Sequence, residues 1–174
     1  MAAYDAGGDV LLEPRMRSAA ALGLVPTDTP MVRMETTGDW DSLDEEQRRY
    51  QAKRMAVYAG MIEAMDFHIG RLMEFLKTRG QYNNTIFIFT SDNGAAAGGL
   101  DGLNGNAPLN RWLERVGYST EYETLGEKGS WVAQGIGNAS ISNSPLIHYK
   151  LHTNEGGRRV PLVMPGPGIS RHGE

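Results

Sequence analysis

Apolar positions along the chain fall into two contrasting patterns. In the first, Met55, Tyr58, Ile62, Met65, Ile69, Leu72 and Leu76 recur at steps of three and four, the period of an amphipathic helix. Ser42 with Glu45 fits a capping box, while Asp44, Glu45 and Glu46 complement the positive end of the helix dipole. Gly80, following Lys77 and Arg79, is a natural C-terminal stop. The spacing therefore predicts one long helix over residues 42–80, about 50 Å at 1.5 Å per residue. Met55, Met61, Met65 and Met73 read as helix core rather than as a binding surface. Gly60 and Gly70 each cost about 1 kcal/mol relative to alanine inside a helix, and either close packing on a sheet or tolerance at the surface accounts for them.

The second pattern is the run Thr85-Ile86-Phe87-Ile88-Phe89-Thr90, apolar without alternation. A strand of this kind has both faces buried, as in a parallel sheet covered by helices. Tyr82-Asn83-Asn84 makes the turn into it, so helix, turn and strand form the αβ half of a doubly wound unit. A shorter apolar run, Val160 to Met164, predicts a second strand, closed by Pro165-Gly166-Pro167-Gly168. The rest is less regular. Residues 1–41 read as an irregular lead-in with a short helix near Arg15–Leu22, broken up by Pro14, Pro26 and Pro30. Residues 95–149 read as a long loop region with one or two helical turns between Arg111 and Gly117, of a length that is usually functional or poorly ordered. The chain thus divides into the lead-in (1–41), the long helix (42–80), a strand and metal loop (85–94), the loop region (95–149) and a lysine loop with the second strand (150–174).

Composition narrows the function classes. At 174 residues the chain is long enough for one domain with a core, and 40% hydrophobic with 22% charged residues is ordinary for a soluble globular protein. A net charge of −4 carries no electrostatic footprint for nucleic acid. The absence of cysteine excludes disulfides, thiolate metal sites and a cysteine nucleophile. No apolar stretch approaches the ~20 residues that span a bilayer, and Met1 to Val10 lack the regions of a signal peptide. The expectation is a soluble chain with neither membrane nor nucleic-acid partner. Cytoplasm is the default compartment, with the periplasm open to a longer parent.

Chemistry concentrates at the end of the apolar strand. Asp92 and Asn93 put a carboxylate and an amide oxygen at a strand tip, where α/β sheets bind ligands. Ca²⁺ and Mg²⁺ prefer such oxygen donors, in sets of six or more including waters. Taken alone, Asp92-Asn93-Gly94 is most often an ordinary turn, because Asn and Gly tolerate positive φ. Lys150 can act as a point charge for a sulfate or phosphate oxygen, or remain a solvated loop lysine. Beside Gly156-Gly157, Glu155 with Arg158 or Arg159 predicts a buried ion pair that fixes the turn. The histidines form no ligand set: His68 lies in the long helix and His172 in a terminal tail. His148 and His152 flank Lys150 at a spacing that would need a helix to share a metal. His152 is retained as the lesser site candidate.

In combination these segments resemble the bacterial arylsulfatases of the alkaline phosphatase superfamily, over nearly the whole chain. Tyr4-Asp5-Ala6-Gly7, Ala21 to Pro26, Trp40-Asp41 and Tyr58-Ala59-Gly60-Met61 with Met65-Asp66 are similar to the segment before that family's metal motif. Asn84 to Gly94 is similar to its strand and ligands, and Ser142-Asn143-Ser144-Pro145, Tyr149-Lys150 and Glu155-Gly156-Gly157 with Arg159-Val160-Pro161 to its lysine segment. The resemblance implies an α/β fold, an incomplete part of an alkaline-phosphatase-like, mostly parallel sheet flanked by helices. It also implies hydrolysis of a small-molecule sulfate ester to an alcohol or phenol and sulfate. Asp92 and Asn93 would ligate Ca²⁺, with Mg²⁺ as the alternative, and Asp92 would help to accept a proton from a hydrated formylglycine. Lys150 would contact a sulfate oxygen and the bridging ester oxygen.

Departures from the family pattern qualify this. The Cys/Ser-x-Pro-x-Arg motif that yields formylglycine is absent, as are the paired aspartates, first lysine and histidines expected to precede Met1. The expectation is an internal piece of a longer enzyme, with formylglycine in the missing upstream segment and the remainder of the enzyme as partner. Alone, such a piece is expected to be inactive and poorly folded or aggregation-prone. Gly8, where relatives often carry Trp, and Asn138 bear on packing more than on catalysis. The alternatives are a phosphodiesterase or phosphonate hydrolase of the same superfamily, and a non-catalytic remnant or interaction module.

Overall fold

The computed structural model describes residues 2–31, 34, 40–98, 107–167 and 169. His172 and part of the glycine-rich stretch after Gly98 lie outside the described residues. Helix α1 (Asp9–Ala21) is followed by the long α2 (Glu45–Thr78), strand β1 (Phe89–Thr90), α3 (Ala107–Val116), α4 (Gly135–Asn143), the single turn α5 (Glu155–Arg158) and strand β2 (Leu162–Val163).

The long helix forms where its periodicity predicts, with a different cap. Ser42 closes a 3₁₀ turn (Trp40–Ser42), and the capping box is built by Asp44 and Gln47. The Gln47 N–H donates to Asp44 Oδ1 at 2.8 Å and the Asp44 N–H to Gln47 Oε1 at 3.0 Å. At the other end Gly80, at φ +65°, donates to the Lys77 carbonyl and Gln81 to the Leu76 carbonyl. This is the Schellman arrangement, which needs a residue free to take positive φ. Only the first third of α2 is buried, through Ala52, Arg54 and Met55. Ile62, Met65 and Leu72 of the predicted apolar face are 44%, 43% and 51% exposed. Open space surrounds Gly60 and Gly70, so close packing does not explain them.

Three expectations about other elements change. α1 runs from Asp9 through Pro14 instead of starting near Arg15, although a proline in the second turn forfeits one backbone bond and crowds the turn before it. The stretch 95–149 contains α3 and all of α4, where the residue pattern predicts loop. The strands do not form a parallel sheet: β1 pairs antiparallel with β2, Phe89 opposite Val163 and Thr90 opposite Leu162. One face of the apolar run is bare, with Ile86 and Ile88 69% and 63% exposed, while Thr85 and Phe87 on the other are half-buried. Among the described residues the architecture is a helical body with this small antiparallel pair.

The core lies beside α4. Its buried apolar side chains include Ala52 and Met55 of α2, Leu113 of α3, Leu125, Ala139 and Ile141 of α4, and Tyr149. Gly8 sits against Ile141, and a Cβ there would overlap its Cδ1, so the departure at Gly8 is a packing feature. Polar contacts hold α2 to the segment before α4. The Tyr50 hydroxyl donates to the Thr120 carbonyl at 3.0 Å, and the ring of Tyr122 carries Lys53 Nζ 4.5 Å from its centroid. Arg54, 4% exposed, donates through Nε to the Ala133 carbonyl and through Nη1 to Gln51 Oε1.

Candidate functional site

Three backbone segments meet through main-chain hydrogen bonds. The Gly94 N–H donates to the Gly157 carbonyl at 3.1 Å, the Lys150 N–H to the Ala95 carbonyl at 3.0 Å, and the Gly156 N–H to the Ile147 carbonyl at 2.9 Å. Glycine is required at these crossings. A Cβ at Gly94 would overlap the Gly156 carbonyl oxygen, one at Gly156 the His148 carbonyl, and one at Gly157 the His152 carbonyl. The loop after β1 and the lysine loop are thereby joined, and Lys150 lies beside the strand tip although 57 residues separate it from Asn93.

Asp92, Asn93 and Lys150 line one cleft of about 710 Å³, together with Arg159, Trp131 and Gln134. That volume is in the range of small-molecule sites. Two cations, a carboxylate and an amide line the same cleft, a set that suits an anionic ligand bound alongside a hard cation. Asp92 and Asn93 offer oxygen donors and no soft ligand, which fits Ca²⁺ or Mg²⁺ as part of a shell of six or more. No three His, Cys, Asp or Glu side chains converge among the described residues, so these two donors do not complete such a shell.

A buried polar network supports the wall of the cleft. Gln134, 3% exposed, donates through Nε2 to the Ala96 carbonyl at 3.2 Å and accepts from the Ser142 hydroxyl at 2.8 Å. Asn138 Nδ2 donates to the Gln134 carbonyl and to Gln51 Oε1, at 2.9 and 3.3 Å. Asn138 is thus a packing residue that ties α4 to α2. At the end of α4, Asn143 reaches both loops. Its Oδ1 accepts from the Ala95 N–H at 3.1 Å, and its Nδ2 donates to the carbonyls of His148 at 3.0 Å and Gly156 at 2.6 Å.

Backbone strain brackets Lys150. His148 and Leu151 take φ of +65° and +79°, a region that costs a non-glycine residue about 1–2 kcal/mol. Leu151 is 86% exposed, so side-chain burial does not offset that cost. Strain of this kind persists where surrounding contacts over-determine the backbone, and it clusters at functional sites. His152 stacks on His148, with centroids 4.4 Å apart and planes at 14°, and meets the edge of Tyr149. Neither histidine is among the residues lining the cleft. The predicted buried ion pair is also absent in that form: Arg159 and Glu155 approach to 3.8 Å, but their side chains are 61% and 63% exposed. The glycine crossings fix the turn instead.

Comparison with known proteins bears on the family of the chain. The Sulfatase family model matches residues 27–174. An arylsulfatase of Klebsiella aerogenes is 37% identical over 172 residues, which is 98% of this chain and 36% of that protein. An uncharacterized sulfatase of Schizosaccharomyces pombe is 34% identical over 167 residues, 94% of this chain and 29% of the other. The multifunctional alkaline phosphatase superfamily protein PehA of Trinickia caryophylli is 32% identical over 84 residues, 48% of this chain and 14% of its own. The chain spans about a third of the length of the first two relatives.

Proposed function

The chain belongs to the sulfatase family, and on that footing we propose that it forms part of a sulfuric ester hydrolase site for a small-molecule sulfate ester of the arylsulfatase type. The observation that carries the proposal is the convergence of Asp92, Asn93 and Lys150 on one cleft. In this reading Asp92 and Asn93 hold a Ca²⁺ ion, with Mg²⁺ as the alternative. When bound, that ion supplies Lewis-acid polarisation of a sulfate oxygen. Lys150 places its ammonium on a sulfate oxygen and the bridging ester oxygen, where negative charge grows as the alcohol departs. Preorganised cations aimed at developing charge lower the barrier without reorganising in the transition state. Arg159, on the same wall, adds positive potential that retains the sulfate. Asp92 stands at the strand tip as acceptor for a proton from the nucleophile.

Turnover also requires a nucleophile and further metal donors. The 174 residues contain no cysteine and no Ser-x-Pro-x-Arg from which formylglycine arises, so in this reading those groups come from the remainder of a longer enzyme. The sheet of the alkaline phosphatase superfamily, into which β1 would fit, belongs to that larger unit too.

Hydrolysis of 4-nitrophenyl sulfate and 4-nitrophenyl phosphate by the full-length protein tests the reading. Sulfate turnover is expected to dominate and to be lost on chelation. Lys150→Ala is expected to lower kcat by about 10²–10³, the usual cost of one transition-state donor. Preferred phosphate turnover would move the protein to the phosphoesterase branch, and a wild-type rate in Lys150→Ala would remove Lys150 from the mechanism. The 174-residue chain alone is expected to hydrolyse neither ester, and aryl sulfate turnover by this purified chain would refute that.

A further inference from the structure

Among the described residues the Asn143 side chain touches both loops that carry the site, and in the sequence it stands only within the Ser142-Asn143-Ser144-Pro145 segment, with no role of its own. Its amide has one acceptor oxygen and two donor hydrogens. Each is matched to a backbone group: Oδ1 to the Ala95 N–H, Nδ2 to the His148 and Gly156 carbonyls. Ala95 follows Asp92-Asn93-Gly94 by one residue, and His148 precedes Lys150 by two. Asn143 is itself held on a rigid base, as the last residue of α4, whose Asn138, Ala139, Ser140 and Ile141 are buried.

We infer that Asn143 is the positioning residue that sets Lys150 relative to Asp92 and Asn93. This rests on the sulfatase-type reading of those three side chains. The residue type follows from the pattern of partners. Aspartate would keep the bond from Ala95 but lose both donations, and it would face two carbonyl oxygens with negative charge. Leucine matches the shape and keeps nothing. Glutamine would overreach by a methylene in a crossing where glycine carbonyls leave no slack. The strained φ values at His148 and Leu151 give the restraint its purpose, since the lysine loop needs an external hold to stay in that conformation.

Amide hydrogen exchange on the 174-residue chain at low micromolar concentration reads the brace directly. The amides of Gly94 and Lys150 bond to Gly157 and Ala95 rather than to Asn143, so they report coupling and not a lost partner. In Asn143→Leu both are expected to exchange at least about tenfold faster, with the first third of α2 unchanged as a control for local opening. Wild-type protection of both in Asn143→Leu would overturn the inference.

A second readout tests position rather than folding. Ca²⁺ and inorganic sulfate that share the cleft must each tighten the other by one common factor. By calorimetry on the full-length protein, which in this reading supplies the further metal donors, that factor is expected to be about fivefold or more in the wild type, and to fall towards one in Asn143→Asp and Asn143→Leu. A factor retained in both variants would overturn the positioning role. If the wild type shows no coupling while the exchange result stands, the brace survives and the sulfatase-type reading of the site fails.

Discussion

Gly94 and Gly60 show how opposite the consequences of one added methyl group can be. At Gly94 the new Cβ would meet a backbone oxygen, that of Gly156, and no rotamer change relieves a clash between two main chains. Overpacking of this kind costs typically 1–3 kcal/mol, so Gly94→Ala is expected to lose about 2 kcal/mol or more and to displace Asp92 and Asn93. At Gly60 nothing lies within 4 Å, and the position is helical, so Gly60→Ala is expected to gain about 1 kcal/mol. Thermal melts decide the pair: a rise of about 2–4 °C for Gly60→Ala and a fall for Gly94→Ala. Equal shifts would mean that the loop crossing is not tight. Asp92, Asn93 and Lys150, which share the cleft, were legible as candidates only through the combined resemblance, since alone they read as a turn and a solvated lysine. Asn143 was not, because beside Ser144-Pro145 it reads as a turn residue, and its partner Ala95 lies 48 residues away.

Elements were legible where the sequence repeats a period and illegible where burial alone makes the structure. α2 has both periodicity and capping chemistry, although its cap sits at Asp44 rather than Ser42. α4, Gly-Ile-Gly-Asn-Ala-Ser-Ile-Ser-Asn, is built from residues of low helix propensity. It is helical because its middle is buried, and Asn138 and Ser140 satisfy their own side chains there on carbonyls one turn earlier, those of Gln134 and Ile136. The link between these helices gives a prediction at this scale. Arg54 joins α2 to the Ala133 carbonyl on the cleft wall, and Arg54→Ala would remove the donor to that carbonyl and leave Gln51 Oε1 with the Asn138 amide alone of its two side-chain donors. Removing one partner of such buried bonds costs about 1–3 kcal/mol. Asp44→Ala, which loses only a cap, is expected to cost about 1 kcal/mol. Urea titration measures both, and Trp131 fluorescence separates them. It should shift in Arg54→Ala, whose lost anchor adjoins the indole's own segment, and stay at the wild-type value in Asp44→Ala. A shift in both, or in neither, would show that Arg54 does not hold the wall.

At the scale of the whole molecule the apolar surface is unusually open. Ile86, Ile88, Leu162 and Val163 are each more than half exposed around the two-stranded pair, and Phe67, Leu72 and Phe75 are equally bare along α2. A non-alternating apolar strand calls for a layer on each face, yet the described residues supply one antiparallel neighbour and no such layer. That is why the sheet was the least accurate part of the sequence reading: strand chemistry is local, whereas strand neighbours and covering helices are not. Contiguous apolar patches beyond a few hundred Å² mark contact surfaces or aggregation sites, and a short exposed sheet edge offers unpaired backbone groups to another chain. The 174-residue chain is therefore expected to self-associate through this face, with scattering mass rising steeply towards about 100 µM, within the range where exposed apolar surface drives association. Ile86→Lys combined with Leu162→Lys removes apolar area on both sides of the pair and adds charges that repel at the edge, so it is expected to return the chain to a monomer and lower its binding of an apolar dye. Neither residue lines the cleft, so the exchange protection of Gly94 and Lys150 should stay at the wild-type level. A wild-type chain that remains monomeric across that range would show that these side chains are covered in solution.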